Sequence, residues 1–436
     1  MSLAQLRAEL APARPPLRAG LAMFPRSWPL LAFLAIALGV TMSLGQYFQE
    51  DGGLLYLVFV LPVILLPLAR PMLLLDAVRG RALPVVIFGV VAILWHASRG
   101  DFAAAIPMFL LVWGVIWMSS DAARIRFDDF YLLYGGAVLA GLVLWLVGDI
   151  NQWGLLPGTT TAPGESVWRV SFFPNIAYTG FFSLAFIMVF TRDVRPTRRF
   201  VAVLMGVAVY FVIFSFVRTA VVGLAVYAAL AWLFRRKNSP AFMFWTALLS
   251  AIVINVLIAY SSSLFATLQT NPLFSRLFLR GEAGLSVYEI YEQLYRPWVW
   301  GQHLHQFFTS PYLMGWGSVD FNQLKTNTLT LGMDQNADIS FLTRLLAQYG
   351  LAGALFIGFL VSRLVVLAKR RDAWGCACFP VATLAMMHWG TMFHPTDPMF
   401  AIFMIVLIQG SEAFGPRLMR AVSRSELIAA RPEILR

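Results

Sequence analysis

An all-α bundle of membrane-spanning helices is the fold class this sequence predicts, and three observations carry it. Hydrophobic residues make up 59% of the chain and charged ones only 13%, far from the balance of a soluble domain built on one apolar core. Apolar runs long enough to cross a hydrocarbon layer of roughly 30 Å recur along the whole length, broken by short charged or Pro/Gly-rich segments. Basic residues crowd every second connection and are scarce in the others, as expected if the crowded ones stay in the cytoplasm.

The runs lie near 28–46, 54–69, 84–98, 103–119, 130–148, 174–190, 200–215, 219–234, 241–261, 339–361, 374–390 and 398–413, so about twelve spans are expected. A cytoplasmic amino terminus puts Arg7, Arg14, Arg18 and Arg26 inside, followed by Arg70, Arg79 and Arg81, then Arg124 and Arg126. The same side receives Arg192, Arg195, Arg198 and Arg199, then Arg235, Arg236 and Lys237, then Arg363, Lys369, Arg370 and Arg371, and the five arginines from Arg417 to Arg436. Twenty-five of the 33 basic residues thus fall on one side. The expected divisions are a basic cytoplasmic segment 1–27, spans one to nine within 28–261, a large periplasmic loop 262–338, spans ten to twelve within 339–413, and a basic cytoplasmic tail 414–436. The first apolar run lacks a small-residue cleavage site, so it reads as a retained signal anchor and the mature chain is expected to begin at Met1.

Several functions are disfavoured. The net charge of +11 is spread over membrane-proximal loops rather than gathered in one patch with interleaved aromatics, so nucleic acid is not an expected partner. Cys376 and Cys378 are too close for an ordinary disulfide and lack partners for a zinc site; they read as small fillers. With no Gly-rich phosphate loop, no Cys/His metal spacing and no internal repeat, a nucleotide-driven pump is not expected, nor is a metal or cofactor. Energy for any chemistry must then arrive with the substrate.

Eight basic residues fall on the other, outer side: Arg99, Arg169, Arg218, Arg276, Arg280, Arg296, Lys325 and Arg344. Cations there have no topological role, and an anionic substrate is the most economical reason for them. Arg99, in a tight turn, reads as a snorkelling anchor. Arg169 precedes Pro174 and Asn175 at the start of the sixth span, where Pro suits a first helical turn. Arg218 sits at the apex of a hairpin with almost no loop, either as an accident of topology or as a planar fork set to bind phosphate or carboxylate.

Within the large loop, 285–309 has helical character, with Glu289, Glu292, Arg296, Trp300 and His303 along one face. Glu292 reaches Arg296, either as a salt bridge on a solvated face or as a carboxylate that turns Arg296 toward a cleft. Trp298, Trp300, Phe307, Phe308, Tyr312 and Trp316 offer flat apolar surface suited to sugar stacking or to packing on the membrane. Asp338 and Ser340 lie near the start of the tenth span, where Asp is a good cap, and Arg344 lies one to two turns further in, facing the interior or a hydrated cleft.

Taken in order, these residues resemble the O-antigen ligase and Wzy-type polysaccharide polymerase superfamily of bacterial inner membranes, from about Trp168 to Gly353. The resemblance rests on Arg169 with Pro174-Asn175 before a span, the hairpin of Ser215 and Arg218, and Arg296 with Trp300 in the loop. It continues with the turn of Pro311, Gly315 and Gly317, and a helix with Leu342, Leu345, Gly350, Leu351 and Gly353. It implies a metal-independent, inverting glycosyl transfer on the periplasmic face from a polyprenyl-diphosphate-linked oligosaccharide. Arg218 and Arg296 would neutralise the leaving diphosphate, with Arg169, Arg276, Arg280, Arg344, Trp300 and His303 as further substrate-binding residues. Preorganised guanidinium groups are suited to that task on physical grounds, because phosphate departure from an anomeric carbon concentrates negative charge.

The ligases of this superfamily open the helix after the large loop with a His-Asn pair, whereas this chain reads Asp338-Ile339-Ser340. The reading therefore leans to a polymerase of exopolysaccharide or O-antigen repeats, with Asp338 as the acceptor-orienting or basic group. His303 and His305 are rivals, since imidazole has the intrinsic pKa for base work near neutrality. The alternatives are a ligase that moves glycan to lipid A core, and a transporter of the same lipid-linked glycan, although the two halves of the chain are unlike. Partners implied beyond the donor are the lipid bilayer, a chain-length regulator and export machinery.

Overall fold

The computed structural model describes residues 82–119, 125–147, 171–172, 176–192, 199–215, 217–259, 295–317, 340–388 and 398–415. They are almost wholly helical: α1 (Leu83–Ser98), α2 (Phe102–Met118), α3 (Phe127–Val147), α4 (Ile176–Thr191), α5 (Arg199–Phe214) and α6 (Arg218–Arg236). There follow α7 (Pro240–Ala259), α8 (Tyr295–Thr309), α9 (Phe341–Tyr349), α10 (Leu351–Lys369), α11 (Ala373–His388) and α12 (Pro398–Gln409). A two-residue parallel pairing joins Ile125–Arg126 to Phe414–Gly415. The expected runs 28–46 and 54–69 lie outside the described residues.

Among the described residues, three helical segments are long and apolar enough to cross a membrane, Thr219–Arg236, Pro240–Ala259 and Leu351–Lys369, and several shorter apolar helices accompany them. Side-chain burial agrees with a lipid surround. Helices α1, α3, α5 and α7 turn large apolar residues outward, among them Leu94, Leu146, Val203 and Leu257, as water-facing helices do not. By contrast α11 and α12 are apolar all round and buried along nearly their whole length, so they form the centre of the bundle. Cys376 and Cys378 are buried free thiols within it.

Small residues set the closest crossings. A methyl group at Gly89 of α1 would overlap Val112 of α2, and one at Gly223 of α6 would press on Leu184, Val381 and Leu384. Aromatic stacking fills the space between α3 and α4, where Tyr134 lies 4.0 Å from Phe186 between ring centroids and its hydroxyl is 2.8 Å from Ser183 Oγ. Buried polar groups find partners across the bundle: Gln409 Nε2 donates to Met118 O at 2.6 Å, and Trp374 Nε1 to Met188 O at 2.6 Å.

Those contacts fix two ends. The ends of α2, α4 and α12 meet the start of α11 at one of them. At the other, Tyr349 Oη donates to Ala104 O at 2.9 Å, which brings the α9–α10 junction to the α1–α2 turn. That second end also holds α8 and the carboxyl terminus of α11.

The sequence predicts one uninterrupted run over 339–361, and here the structure differs. It divides the run at Gly350, whose φ of 54° and ψ of −125° no β-carbon would tolerate easily, into a short α9 and a longer α10. The segment before it explains the break. Trp316 N donates to Ala347 O at 2.9 Å and Gly317 N to Gln348 O at 3.0 Å, so the 314–317 turn takes up carbonyls where α9 ends. Side chains cannot fit there: a methyl group at Gly315 would overlap the Gln348 carbonyl, and one at Gly350 the Leu313 carbonyl.

Candidate functional site

At this end, α8 lies against α9 with Val299, His303 and Gln306 buried on the shared face. Helix α8 begins at Tyr295 within the expected 285–309; residues 285–294, with Glu289 and Glu292, lie outside the described residues. Arg296, Trp300 and His303 follow at helical spacings of four and three, which puts their positions along one side of α8.

His303 is the best-defined polar group of the site. Only 1% of it is exposed, and its Nδ1 lies 2.9 Å from Thr343 Oγ1 on α9. Burial, and secondarily the positive charge of Arg344, lower its pKa to about 4. The imidazole is therefore neutral at pH 7, and so weakly basic that it suits orientation better than proton abstraction. His305, its rival, is exposed on the opposite side of α8.

Helix α9 is preceded by Ser340. Its Oγ accepts from Thr343 N at 3.4 Å and donates to Met387 Sδ at 3.4 Å, so Ser340 is the cap for which the sequence offers Asp338. Arg344 lies one turn further on, half-buried, within electrostatic reach of His303 and Tyr349. Trp300 packs edge-on against His388 at the end of α11, with ring centroids 5.4 Å apart. The indole N–H of Trp300 is buried and meets no acceptor among the described residues.

Two further segments reach this end. Ser171 Oγ lies 2.6 Å from Thr179 Oγ1, Phe172 packs on Phe211 at 4.7 Å, and a methyl group at Gly180 would press on Ser215 and Val217. The stretch just after Arg169 and the hairpin just before Arg218 are therefore neighbours. Helices α6 and α11 run antiparallel, because Gly223 faces Val381 and Leu384 while Tyr227 and Trp374 both donate to Met188 O. Extending that register brings the backbone of Arg218, the first residue of α6, to the level of His388.

Of the residues singled out from the sequence, Trp300, His303 and Arg344 thus come together, and Arg218 and Arg296 are placed by their helices. Asp338, Arg169, Arg276 and Arg280 lie outside the described residues. Sequence reasoning missed Thr343 and His388; the one signal for His388 was an ionisable residue closing an apolar run. Missed as well was the pair His96 and Asp101, 3.9 Å apart beside Gly317, of which Asp101 caps α2 by accepting from Ala104 N at 3.1 Å.

The charge balance is one-sided. Among the described residues Asp101 is the one carboxylate at this end; α8, α9 and α11 carry none. Nor do three or more His, Cys, Asp or Glu side chains gather as metal ligands would among the described residues. A half-buried guanidinium beside neutral imidazole, indole and hydroxyl groups is suited to holding an anion next to a polyhydroxylated molecule. No family model, curated protein or solved structure matches the chain.

Proposed function

We propose that the protein is a membrane glycosyltransferase that joins polyprenyl-diphosphate-linked oligosaccharide repeats into a cell-surface polysaccharide. The site end of the bundle faces the periplasm, about twelve spans cross the bacterial inner membrane, and both termini are cytoplasmic. One observation carries the reading: segments far apart in sequence, each basic or glycine-rich for no local reason, gather at one end where, among the described residues, cations outnumber carboxylates. These are α8, the 314–317 turn, α9 with Arg344, and the start of α6 at Arg218.

In the reaction, a sugar hydroxyl of one repeat attacks the anomeric carbon of the other. The bond from that carbon to the diphosphate oxygen breaks, and its electron pair leaves with the polyprenyl diphosphate. Arg218 and Arg296 stabilise the charge gathering on that oxygen. Asp338 takes the proton of the attacking hydroxyl, while Trp300 and Arg344 hold the saccharide and its anionic linker, and His303 fixes the α8–α9 pair. Arg169, Arg276 and Arg280 are further substrate-binding residues in this reading, by the family resemblance.

The test uses the purified full-length protein and a polyprenyl-diphosphate-linked repeat, without nucleotide or metal. A ladder of longer glycans is expected. Transfer only after lipid A core is added would make the protein a ligase, and intact substrate in both reactions would remove the glycosyl-transfer reading.

A further inference from the structure

The turn after α8 spends backbone energy on showing apolar side chains to the outside. Tyr312 and Leu313 are consecutive non-glycine residues in the left-handed region, with φ of 53° and 58°. Each costs on the order of 1 kcal/mol relative to a right-handed residue. The turn is held in that form from both sides: Gly315 N donates to Ser310 Oγ at 3.2 Å, Trp316 Nε1 to Gln306 O at 3.0 Å, and Gly317 N to Gln348 O at 3.0 Å. The result leaves Tyr312 85% exposed, with Leu313 and Trp316 also at the surface. One turn back on α8, Phe308 is 71% exposed and Leu304 shares its side of the helix.

This surface continues the outward apolar face of α1. The Tyr312 ring meets Trp95 edge-on at 5.9 Å, and Trp95 lies in the last turn of a helix whose Ile87, Val90, Val91 and Leu94 all point outward. At the edge, the guanidinium of Arg99 stands 5.5 Å above the Trp95 ring. Aromatic rings with a cation just beyond them are what the boundary between acyl chains and phosphate headgroups selects.

From this continuity we infer that residues 304–316, although part of a connection between spans, are seated in one interface of the bilayer. Phe308, Tyr312 and Leu313 lie among acyl chains, and Arg99 at headgroup level. The inference rests on the membrane character of the bundle and not on the glycosyl-transfer reading.

The experiment places a nitroxide label on Phe308→Cys, Tyr312→Cys and, as an aqueous reference, Asn238→Cys in the exposed 237–239 connection, each in the full chain reconstituted in liposomes. The native Cys376 and Cys378 are fully buried and stay unlabelled in the folded protein. Collision rates with oxygen, which concentrates in acyl chains, and with a water-soluble nickel chelate are then compared. The oxygen-to-nickel ratio is expected to be severalfold higher at 308 and 312 than at 238. A ratio equal to that at 238 would place the surface in water, and suppression of both collisions would mean that protein covers it; either overturns the inference. Because 308 is helical and 312 lies in the strained turn, agreement between them guards against one locally misfolded variant.

Discussion

The Nδ1 atom of His303 lies 2.9 Å from the hydroxyl oxygen of Thr343, and this buried contact ties the helix of the large connection to the helix that follows it. It couples the shape of the site to protonation, because a charged imidazole would be buried beside Arg344.

The pKa of about 4 in the folded protein lies below the ordinary 6.5, so between these values the unfolded chain binds the extra proton. Stability is therefore full above pH 6.5 and is lost as pH falls through that window, by roughly 3 kcal/mol at 1.36 kcal/mol per pH unit. Unfolding in detergent at pH 7.5 and 4.5 is expected to show this loss in the wild type and a smaller one in His303→Gln. Equal losses in the two would remove His303 as the sensitive group.

Thr343→Val leaves the His303 nitrogen without that hydroxyl and is expected to cost about 1–3 kcal/mol. Thr343→Ser keeps the oxygen and is expected to recover most of it. Chemical denaturation of both variants measures the difference.

Gly350→Ala is expected to destabilise by more than about 2 kcal/mol, since it adds left-handed strain to an overlap with the Leu313 carbonyl. Gly358→Ala is the control. Nothing lies within 4 Å of a methyl group there, and in the interior of α10 alanine gains up to about 1 kcal/mol. Melting temperatures that move the same way in both would show that the turn does not rest on Gly350.

Arg218→Ala and Arg296→Ala are expected to lower glycan product by about a hundredfold or more, the scale for losing one donor to a developing oxyanion. Both should leave the melting temperature near that of the wild type. Product from both at wild-type level would end the diphosphate assignment.

How much of this was legible in the sequence differs from element to element. The apolar run at 241–261 marks α7 closely because hydropathy is a local property, summed over neighbours in the chain. The run at 339–361 is just as apolar, yet it breaks at Gly350, because what decides the break is the 314–317 turn pressing in from elsewhere. The same holds within the site. Arg218, Arg296 and Trp300 stood out as a cation or an indole in an unexpected place, whereas Thr343 is an ordinary helical threonine until His303 is packed against it. Asp338 drew attention as a capping residue, but the cap falls on Ser340, whose hydroxyl also reaches Met387. One or two residues of shift at a helix start are beyond what a one-dimensional pattern resolves.

The hydrogen bond from Tyr349 to Ala104 spans 245 residues, and Gly317 rests against Asp101 across a similar stretch. The α1–α2 hairpin leaves the ribosome long before either partner exists. Contacts of that sequence separation form late, after the loop-closure entropy of everything between them has been met. Helices α1 to α7 can thus insert in order while the end that carries Trp300, His303 and Arg344 stays unfinished until translation has passed residue 350. A nascent chain stalled before that point would hold most of its apolar helices and none of the assembled site.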